Sequence, residues 1–102
     1  TMELMEAGKP AADVVNEYES WVKKQGFGEF LLYGPCHSIG MMEVERPWME
    51  STSTFKLEEN MTFQVDTFFN DKDFGLRWEN GVRVIKGGVE KLSQKYMKTV
   101  VL

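Results

Sequence analysis

The hydrophobic positions in the first quarter of the chain recur at helical spacing. After Pro10, apolar and aromatic residues lie three or four positions apart, as on one face of an α-helix: Val14, Val15, Tyr18, Trp21 and Val22. Proline suits a first helical position, and Gly26 can end the helix in the left-handed conformation. Upstream, the apolar residues from Met2 to Met5 also favour a helix, which ends at the Gly8-Lys9-Pro10 break. The pattern therefore predicts two consecutive helices.

The last third of the chain has the pattern of an antiparallel hairpin. Strand-forming residues are concentrated in 61–69 and 74–85, and the polar residues 70–73 form a four-residue turn between them. A second turn over 86–88 contains two glycines and leads into a short strand at 89–92. We therefore expect three antiparallel strands in this region.

The middle of the chain is less regular. The apolar run Phe30 to Tyr33 predicts a buried strand, because it is bounded by Gly28 and by Gly34-Pro35. Residues 36–49 show weak periodicity, and the polar segment 50–60 is typical of a surface loop. For residues 94–102, a helical turn and an extended tail both stay open. Together these elements predict an α+β fold with two helices packed on a curved antiparallel sheet.

The predicted hairpin places two carboxylates near each other. With a loop at 70–73, Asp66 faces Arg77, and the alternation of side chains puts Gln64, Asp66, Arg77 and Glu79 on one face. Asp66 and Glu79 are then diagonal neighbours, with Cβ atoms roughly 7 Å apart. Two carboxylates at that separation can converge on a small cation. The alternative is a cross-strand ion pair between Asp66 and Arg77 on a solvated face of the sheet.

His37, the one histidine of the chain, is a candidate third ligand. Imidazole commonly binds divalent transition metals, and the residue follows the Gly34-Pro35 turn. A lone histidine is nevertheless more often structural than ligating. Cys36 is not expected to form a nucleophile–base pair with it, because adjacent side chains of an extended segment point to opposite faces. We expect Cys36 to be a small buried apolar residue.

Length and charge exclude several classes of function. The 102 residues correspond to a single domain, 1–102, and the net charge of −4 argues against a nucleic-acid surface. No apolar run reaches the roughly 18 residues of a membrane span, and the N-terminal residues do not form a secretory signal. The single cysteine cannot form an internal disulfide, so a cytoplasmic setting is expected. From the charge and the short apolar runs, we expect neither a membrane nor a nucleic acid as partner.

Four segments of the chain carry a resemblance to a known family. They are Gly34-Pro35-Cys36-His37-Ser38-Ile39-Gly40, Glu45-Arg46-Pro47, Met61-Thr62-Phe63-Gln64-Val65-Asp66 and Gly75-Leu76-Arg77-Trp78-Glu79. Their order and spacing resemble the second half of the pita-bread metallopeptidases, which include Xaa-Pro dipeptidase, aminopeptidase P, methionine aminopeptidase and creatinase. The resemblance implies that residues 1–102 are the C-terminal half of a pita-bread catalytic domain whose upstream half is absent.

The resemblance also implies roles for individual residues. His37 matches a metal-binding histidine, and Glu79 matches a bridging carboxylate with Arg77 two residues before it. Asp66 stands where the family has a glutamate that binds metal and assists water activation. By resemblance, two divalent ions (Mn, Co, Zn or Fe) would activate water to hydrolyse an N-terminal or Xaa-Pro peptide bond, with Asp66 and Arg77 as catalytic residues. The partners implied are a peptide substrate and the missing half, and a homodimer stays open.

The chain also departs from the family pattern. Asp66 is one methylene shorter than glutamate, about 1.5 Å less reach, and Val44 stands where peptidase members have a second histidine. Two upstream metal-binding aspartates have no counterpart in residues 1–36. A catalytically degenerate module that binds peptide or protein, and a metal-free hydrolase like creatinase, therefore remain alternatives. Without its other half, we expect the polar sheet face to be open to water and the chain to have little catalytic activity.

Overall fold

The computed structural model describes residues 1–95 and 97–102. In chain order, the described elements are a 3-10 turn at Met2–Leu4, α1 at Ala11–Lys24, a 3-10 turn at Gly28–Phe30, and strands β1 (Cys36–Ser38), β2 (Glu45–Met49), β3 (Thr62–Asn70), β4 (Gly75–Ile85) and β5 (Gly88–Lys91). The five strands form one antiparallel sheet in the order β2-β1-β3-β4-β5. This arrangement confirms the α+β class. No helix in the described part of the chain is long and apolar enough to cross a bilayer.

Helix α1 agrees closely with its predicted bounds. Pro10 precedes the first helical residue with φ −61°, Asp13 lies in the first turn, and Lys23 and Lys24 lie in the last turn. These charges complement the helix dipole at both ends. Gly26 follows the helix with φ +83°, the left-handed conformation that glycine adopts without steric cost. The helix buries one face: Ala11, Val14, Val15, Tyr18 and Val22.

The first predicted helix is wrong. The structure contains only the three-residue 3-10 turn Met2–Leu4, after which Met5 becomes extended with ψ 127°. The segment before Gly8 is too short to offset the cost of helix nucleation without tertiary support. The extended backbone instead directs Met5 into the core, where it is fully buried. Among the described residues, the sheet therefore carries one α-helix rather than two.

The predicted buried strand at Phe30 to Tyr33 is also wrong. Leu31 makes a single bridge with Phe69, and Leu32 and Tyr33 are exposed. An apolar run alone does not distinguish a strand from a connection that covers the end of a sheet. The true neighbour of β3 is β1, within the stretch of weak periodicity. Strands β1 and β2 are short, and their pairing is interrupted by an irregularity after His37, so they leave little periodic signal.

The three C-terminal strands and the polar loop are confirmed. Strands β3, β4 and β5 lie within one residue of their predicted bounds, and residues 50–60 contain neither helix nor named strand. This loop is nevertheless anchored, because Leu57 is fully buried and its backbone N–H donates to the carbonyl oxygen of Lys9 at 2.9 Å. The described residues of 94–102 form neither helix nor strand, and residue 96 lies outside the described part.

The register of the β3–β4 hairpin differs from the predicted register by two residues. The loop comprises residues 71–74, one position later than expected, and the backbone N–H of Asp71 donates to the carbonyl oxygen of Phe74 at 2.9 Å. Asp66 consequently pairs with Glu79 instead of Arg77. Because side chains alternate with period two, a shift of two keeps every residue on its predicted face. It also makes Asp66 and Glu79 direct neighbours.

The core lies between α1 and one face of the sheet. The sheet contributes buried apolar side chains from three strands: Cys36, Phe63, Val65, Val82 and Val84. Helix α1 covers them with Ala11, Val14 and Val15, and Met5, Met49 and Leu57 complete the cluster. The side chains that alternate with these point to the opposite face of the sheet. That opposite face holds the candidate site.

Candidate metal centre

His37 presents one unpaired ring nitrogen to the site. It lies in the middle of β1, where it pairs with Gln64 of β3, so its ring shares the face of the sheet with Gln64 and Asp66. Its Nδ1 lies 3.3 Å from the carbonyl oxygen of Ser38. A carbonyl only accepts hydrogen bonds, so this contact assigns the hydrogen to Nδ1. Nε2 is buried and has no hydrogen-bond partner among the described residues.

Two carboxylates approach this free nitrogen. Nε2 of His37 lies 3.9 Å from Oδ2 of Asp66 and 3.9 Å from Oε1 of Glu79. Both distances are too long for hydrogen bonds. One ligand atom from each residue lies within 4.8 Å of the others. Two donors that each lie about 2.1 Å from one ion can be about 4.2 Å apart, so the two distances from His37 suit a shared divalent cation.

Asp66 is the most constrained member of the cluster. It is 2% exposed. Arg77 donates to both of its oxygens, from Nε to Oδ1 at 3.0 Å and from Nη2 to Oδ2 at 2.9 Å. The hydroxyl of Tyr33 donates to Oδ2 at 2.7 Å. Burial by itself raises the pKa of Asp66, but these hydrogen bonds and the Arg77 charge outweigh burial and hold the pKa below its usual value. Asp66 is therefore held as a carboxylate.

Arg77 connects the two acids. Its Nη2 also donates to Oε1 of Glu79 at 2.8 Å, so a single nitrogen bridges both carboxylates. The hydrogen bonds to Asp66 raise the pKa of Arg77 further, which keeps it fully charged. The predicted ion pair between Asp66 and Arg77 is thus present, and it exists together with the convergence on His37. The expectation of a water-facing polar surface is wrong for Asp66, because Tyr33 and Arg77 cover it.

A cavity of about 330 Å³ adjoins the cluster. Tyr33, His37, Asp66 and Arg77 contribute polar atoms to its wall, whereas Val44 and Trp48 contribute an apolar side. The cavity can therefore admit a small molecule directly to two of the three candidate ligands, His37 and Asp66. Its lining places a carboxylate, a guanidinium and an imidazole beside one apolar surface.

A model of metallopeptidase family M24 matches residues 1–86. The chain belongs to this metallopeptidase family. The match confirms the resemblance carried by the four sequence segments. Divalent metal ions are implied by the family, and the grouping of His37, Asp66 and Glu79 supplies donors of the appropriate chemistry. No curated protein sequence matches the chain.

Solved structures of three peptidases share the fold of this chain. X-Pro aminopeptidase from Thermotoga maritima has 26% identity and a TM-score of 0.81, over 89% of this chain and 26% of its own. The Xaa-Pro dipeptidase from Bacillus anthracis has 21% identity and a TM-score of 0.87, over 99% and 29%. The prolidase from Pyrococcus horikoshii has 20% identity and a TM-score of 0.86, over 97% and 29%. The chain therefore has the pita-bread architecture over about a quarter of its relatives' length.

Two residues that line the cavity, Tyr33 and Trp48, were not predicted from the sequence. Tyr33 was expected in a buried strand, but it lies 33 positions before Asp66 and contacts it directly. No spacing rule links residues so far apart. They meet because the segment just before β1 lies beside β3, where Leu31 bridges Phe69. Trp48 lies opposite His37 in the β1–β2 ladder, within the stretch of weak periodicity. Val44 lines the cavity, so its apolar side chain does lie beside the site.

Cys36 lies on the other side of the strand, as expected. Its thiol is buried and lies 3.9 Å from the sulfur of Met5 in the core. Burial raises the pKa of this thiol to about 12, so the reactive thiolate is suppressed at neutral pH.

Burial, more than the hydrogen bond to Asp66, likewise raises the pKa of Tyr33 to about 12. Tyr33 is therefore a hydrogen-bond donor at neutral pH.

Proposed function

We propose that residues 1–102 form the C-terminal half of the catalytic domain of a metal-dependent peptidase. The substrate class proposed is a peptide cleaved near its N-terminus, at an N-terminal or Xaa-Pro bond. Membership of the metallopeptidase family supports the reaction class, and the similarity to an X-Pro aminopeptidase and a Xaa-Pro dipeptidase supports the Xaa-Pro preference. The remainder of the domain, including two upstream aspartate ligands, would lie outside this chain, which spans 26–29% of those relatives.

The proposed roles follow from the positions of the side chains. His37, Asp66 and Glu79 would hold divalent ions, and such ions would supply Lewis acidity toward a substrate carbonyl and an attacking water. Asp66 is held ionised, so it can also accept the proton of that water. Arg77 lines the cavity with a side chain that is 46% exposed, and it can orient a substrate carboxylate while it fixes Asp66.

One observation carries this proposal: Nε2 of His37 is buried and has no hydrogen-bond partner in the part of the chain that the structure describes. An orphaned buried nitrogen is costly, and native structures rarely retain one without a use. Nε2 lies 3.9 Å from each carboxylate, and its Nδ1 is fixed by the Ser38 carbonyl, as expected for a ligating histidine. A divalent ion between these groups would satisfy the nitrogen and neutralise the carboxylates together.

The test is made on the complete protein that contains this chain. We expect manganese content and hydrolysis of a Xaa-Pro dipeptide to fall by at least about tenfold in His37→Ala and in Glu79→Ala, since each substitution removes a direct ligand. Glu90→Ala is the matched control, because Glu90 is an exposed acid whose one ion pair within residues 1–95 and 97–102 is with Arg83. If metal content and hydrolysis both survive the His37 and Glu79 substitutions, the assignment is wrong.

A second candidate is a binding module that kept the fold and lost the metal. The specific observation in its favour is that Arg77 and Tyr33 already engage both oxygens of Asp66. Such a module would hold a peptide against the apolar side of the cavity, where Val44 and Trp48 lie. Metal analysis of the complete protein separates the two candidates. Stoichiometric manganese, zinc, cobalt or iron contradicts the binding module, and its absence together with retained peptide binding supports it.

A further inference from the structure

The guanidinium of Arg77 contacts the same oxygens that converge on His37. Its Nη2 lies 2.9 Å from Oδ2 of Asp66 and 2.8 Å from Oε1 of Glu79. Those two oxygens are the atoms that lie 3.9 Å from Nε2 of His37. One nitrogen of a permanent cation therefore bridges the two carboxylates at the point where the proposed metal would bind.

We propose that Arg77 and a divalent ion compete for Asp66 and Glu79. In the metal-free protein, the guanidinium neutralises both carboxylates, and its Nη2 leaves them when the ion binds. This inference rests on the proposed metal site. It adds that the Arg77 guanidinium takes the place of the metal when no metal is bound. The metal affinity of the site therefore depends on how readily Arg77 is displaced.

Oδ2 of Asp66 cannot contact both Arg77 and a metal ion while it also accepts the hydrogen bond of Tyr33. Oδ2 accepts from Tyr33 at 2.7 Å and from Arg77 at 2.9 Å, and a carboxylate oxygen offers about two lone-pair positions. An ion that binds Oδ2 at about 2.1 Å must replace one of these donors. The charged donor leaves, because a divalent ion and a guanidinium in contact with the same oxygen repel each other.

The burial of the two partners favours movement of Arg77. Asp66 is 2% exposed, so its charge needs a cationic or hydrogen-bonding partner at all times. Arg77 is 46% exposed along its side chain and lines the cavity, so it can swing into that space without any repacking of the core. Its Nε can remain bonded to Oδ1 of Asp66 during the exchange. The exchange therefore requires movement of the Arg77 side chain and leaves Asp66 in place.

Calorimetric titration of the 102-residue chain with Mn²⁺ tests the competition. We expect Arg77→Gln to bind Mn²⁺ at least about tenfold more tightly than the wild type, because the competing charge is gone. Arg83→Gln is the matched control: Arg83 lies on the same strand and face, and it pairs with Glu90. The control should keep the wild-type affinity, which excludes a general effect of net charge.

The outcomes distinguish this inference from the proposed function. Weaker or unchanged Mn²⁺ affinity in Arg77→Gln overturns the competition and leaves the metal site intact, with Arg77 as a positioning residue. If neither the wild type nor Arg77→Gln binds Mn²⁺, the competition is wrong, and the metal content of the His37 and Glu79 variants of the complete protein then decides the proposed metal site separately. Tighter binding in Arg77→Gln with an unchanged control supports both.

A second measurement on the wild type covers the case in which Arg77→Gln does not fold. The ¹⁵N-labelled chain contains three arginines, whose Nε–H signals can be assigned by substitution with lysine. On titration with Zn²⁺, we expect the signals of Arg77 and His37 to change together, whereas the Arg83 signal stays constant. A Zn²⁺-dependent change at His37 with an unchanged Arg77 signal would contradict displacement.

Discussion

The two faces of the β3–β4 hairpin are held in place by different interactions. The face toward α1 carries Phe63, Val82 and Val84, all fully buried among apolar neighbours. The opposite face carries Asp66, which is equally buried but surrounded by hydrogen-bond donors. Burial therefore does not separate the faces. What differs is the interaction that fixes the buried side chains: apolar packing on one face, and hydrogen bonds with specific charged or polar partners on the other.

This difference determines how each face responds to substitution. Apolar packing is nearly non-directional, so a core residue is defined mainly by its volume. A buried carboxylate depends on the direction and the charge of its partners, so even an isosteric change matters. We expect the apolar face to control the stability of the chain and the polar face to control its chemistry.

The largest effect is expected on the apolar face. Phe63→Ala removes a fully buried ring and should lower the free energy of unfolding by about 3–5 kcal/mol, measured by urea denaturation. Leu76→Ala is the control, because Leu76 lies on the same face but is 59% exposed at the far end of the hairpin. Its cost should stay below about 1 kcal/mol. An equal loss of unfolding free energy in Phe63→Ala and Leu76→Ala would refute the idea that only one end of this hairpin face is packed.

A smaller loss of stability is expected on the polar face. Asp66→Asn keeps the shape of the side chain but removes the charge that Arg77 and Tyr33 contact. The free energy of unfolding should fall by about 1–3 kcal/mol, toward the lower end because Arg77 is partly exposed to water. Asp73→Asn, at an exposed position of the hairpin loop, is the control and should have little effect.

The same variant gives a pH signature. The pKa of Asp66 is lowered in the folded state, so its charge stabilises the fold above the unfolded pKa. That contribution is lost as the pH falls through the lower folded value. The difference in unfolding free energy between wild type and Asp66→Asn should be constant above about pH 5 and shrink on acidification below about pH 4. A difference that grows on acidification would contradict an ionised Asp66.

The smallest effect concerns β1, where consecutive residues point to opposite faces. Cys36 is buried on the apolar side, and its raised pKa of about 12 suppresses the thiolate. At pH 8, a thiol reagent should modify the folded chain far more slowly than the chain in denaturant, as followed by absorbance. Rapid modification of the folded chain would show that this part of β1 opens readily and that its core face is not packed.

The sequence by itself determined the elements whose signal is local. Helix α1, strands β3 to β5 and the polar loop follow from periodicity, from Gly26 and from strand-forming composition. The shared face of Asp66, Arg77 and Glu79 was also predictable, even though the predicted register was wrong. Alternation with period two makes the face insensitive to a shift of two residues. The exact pairing of Asp66 with Glu79 needed the position of the loop, which several polar residues in a row leave undefined.

Tertiary structure decided what depends on contacts between distant segments. The segment before Gly8 had helical composition, yet the core required Met5 in an extended chain. Strand β1 is only three residues long and forms because β2 and β3 pair with it on both sides. That pairing brings His37 to Asp66, and the bridge between Leu31 and Phe69 brings Tyr33 to the same carboxylate. Long-range pairings have no local pattern, so the residues that complete the site became visible only when the sheet was assembled.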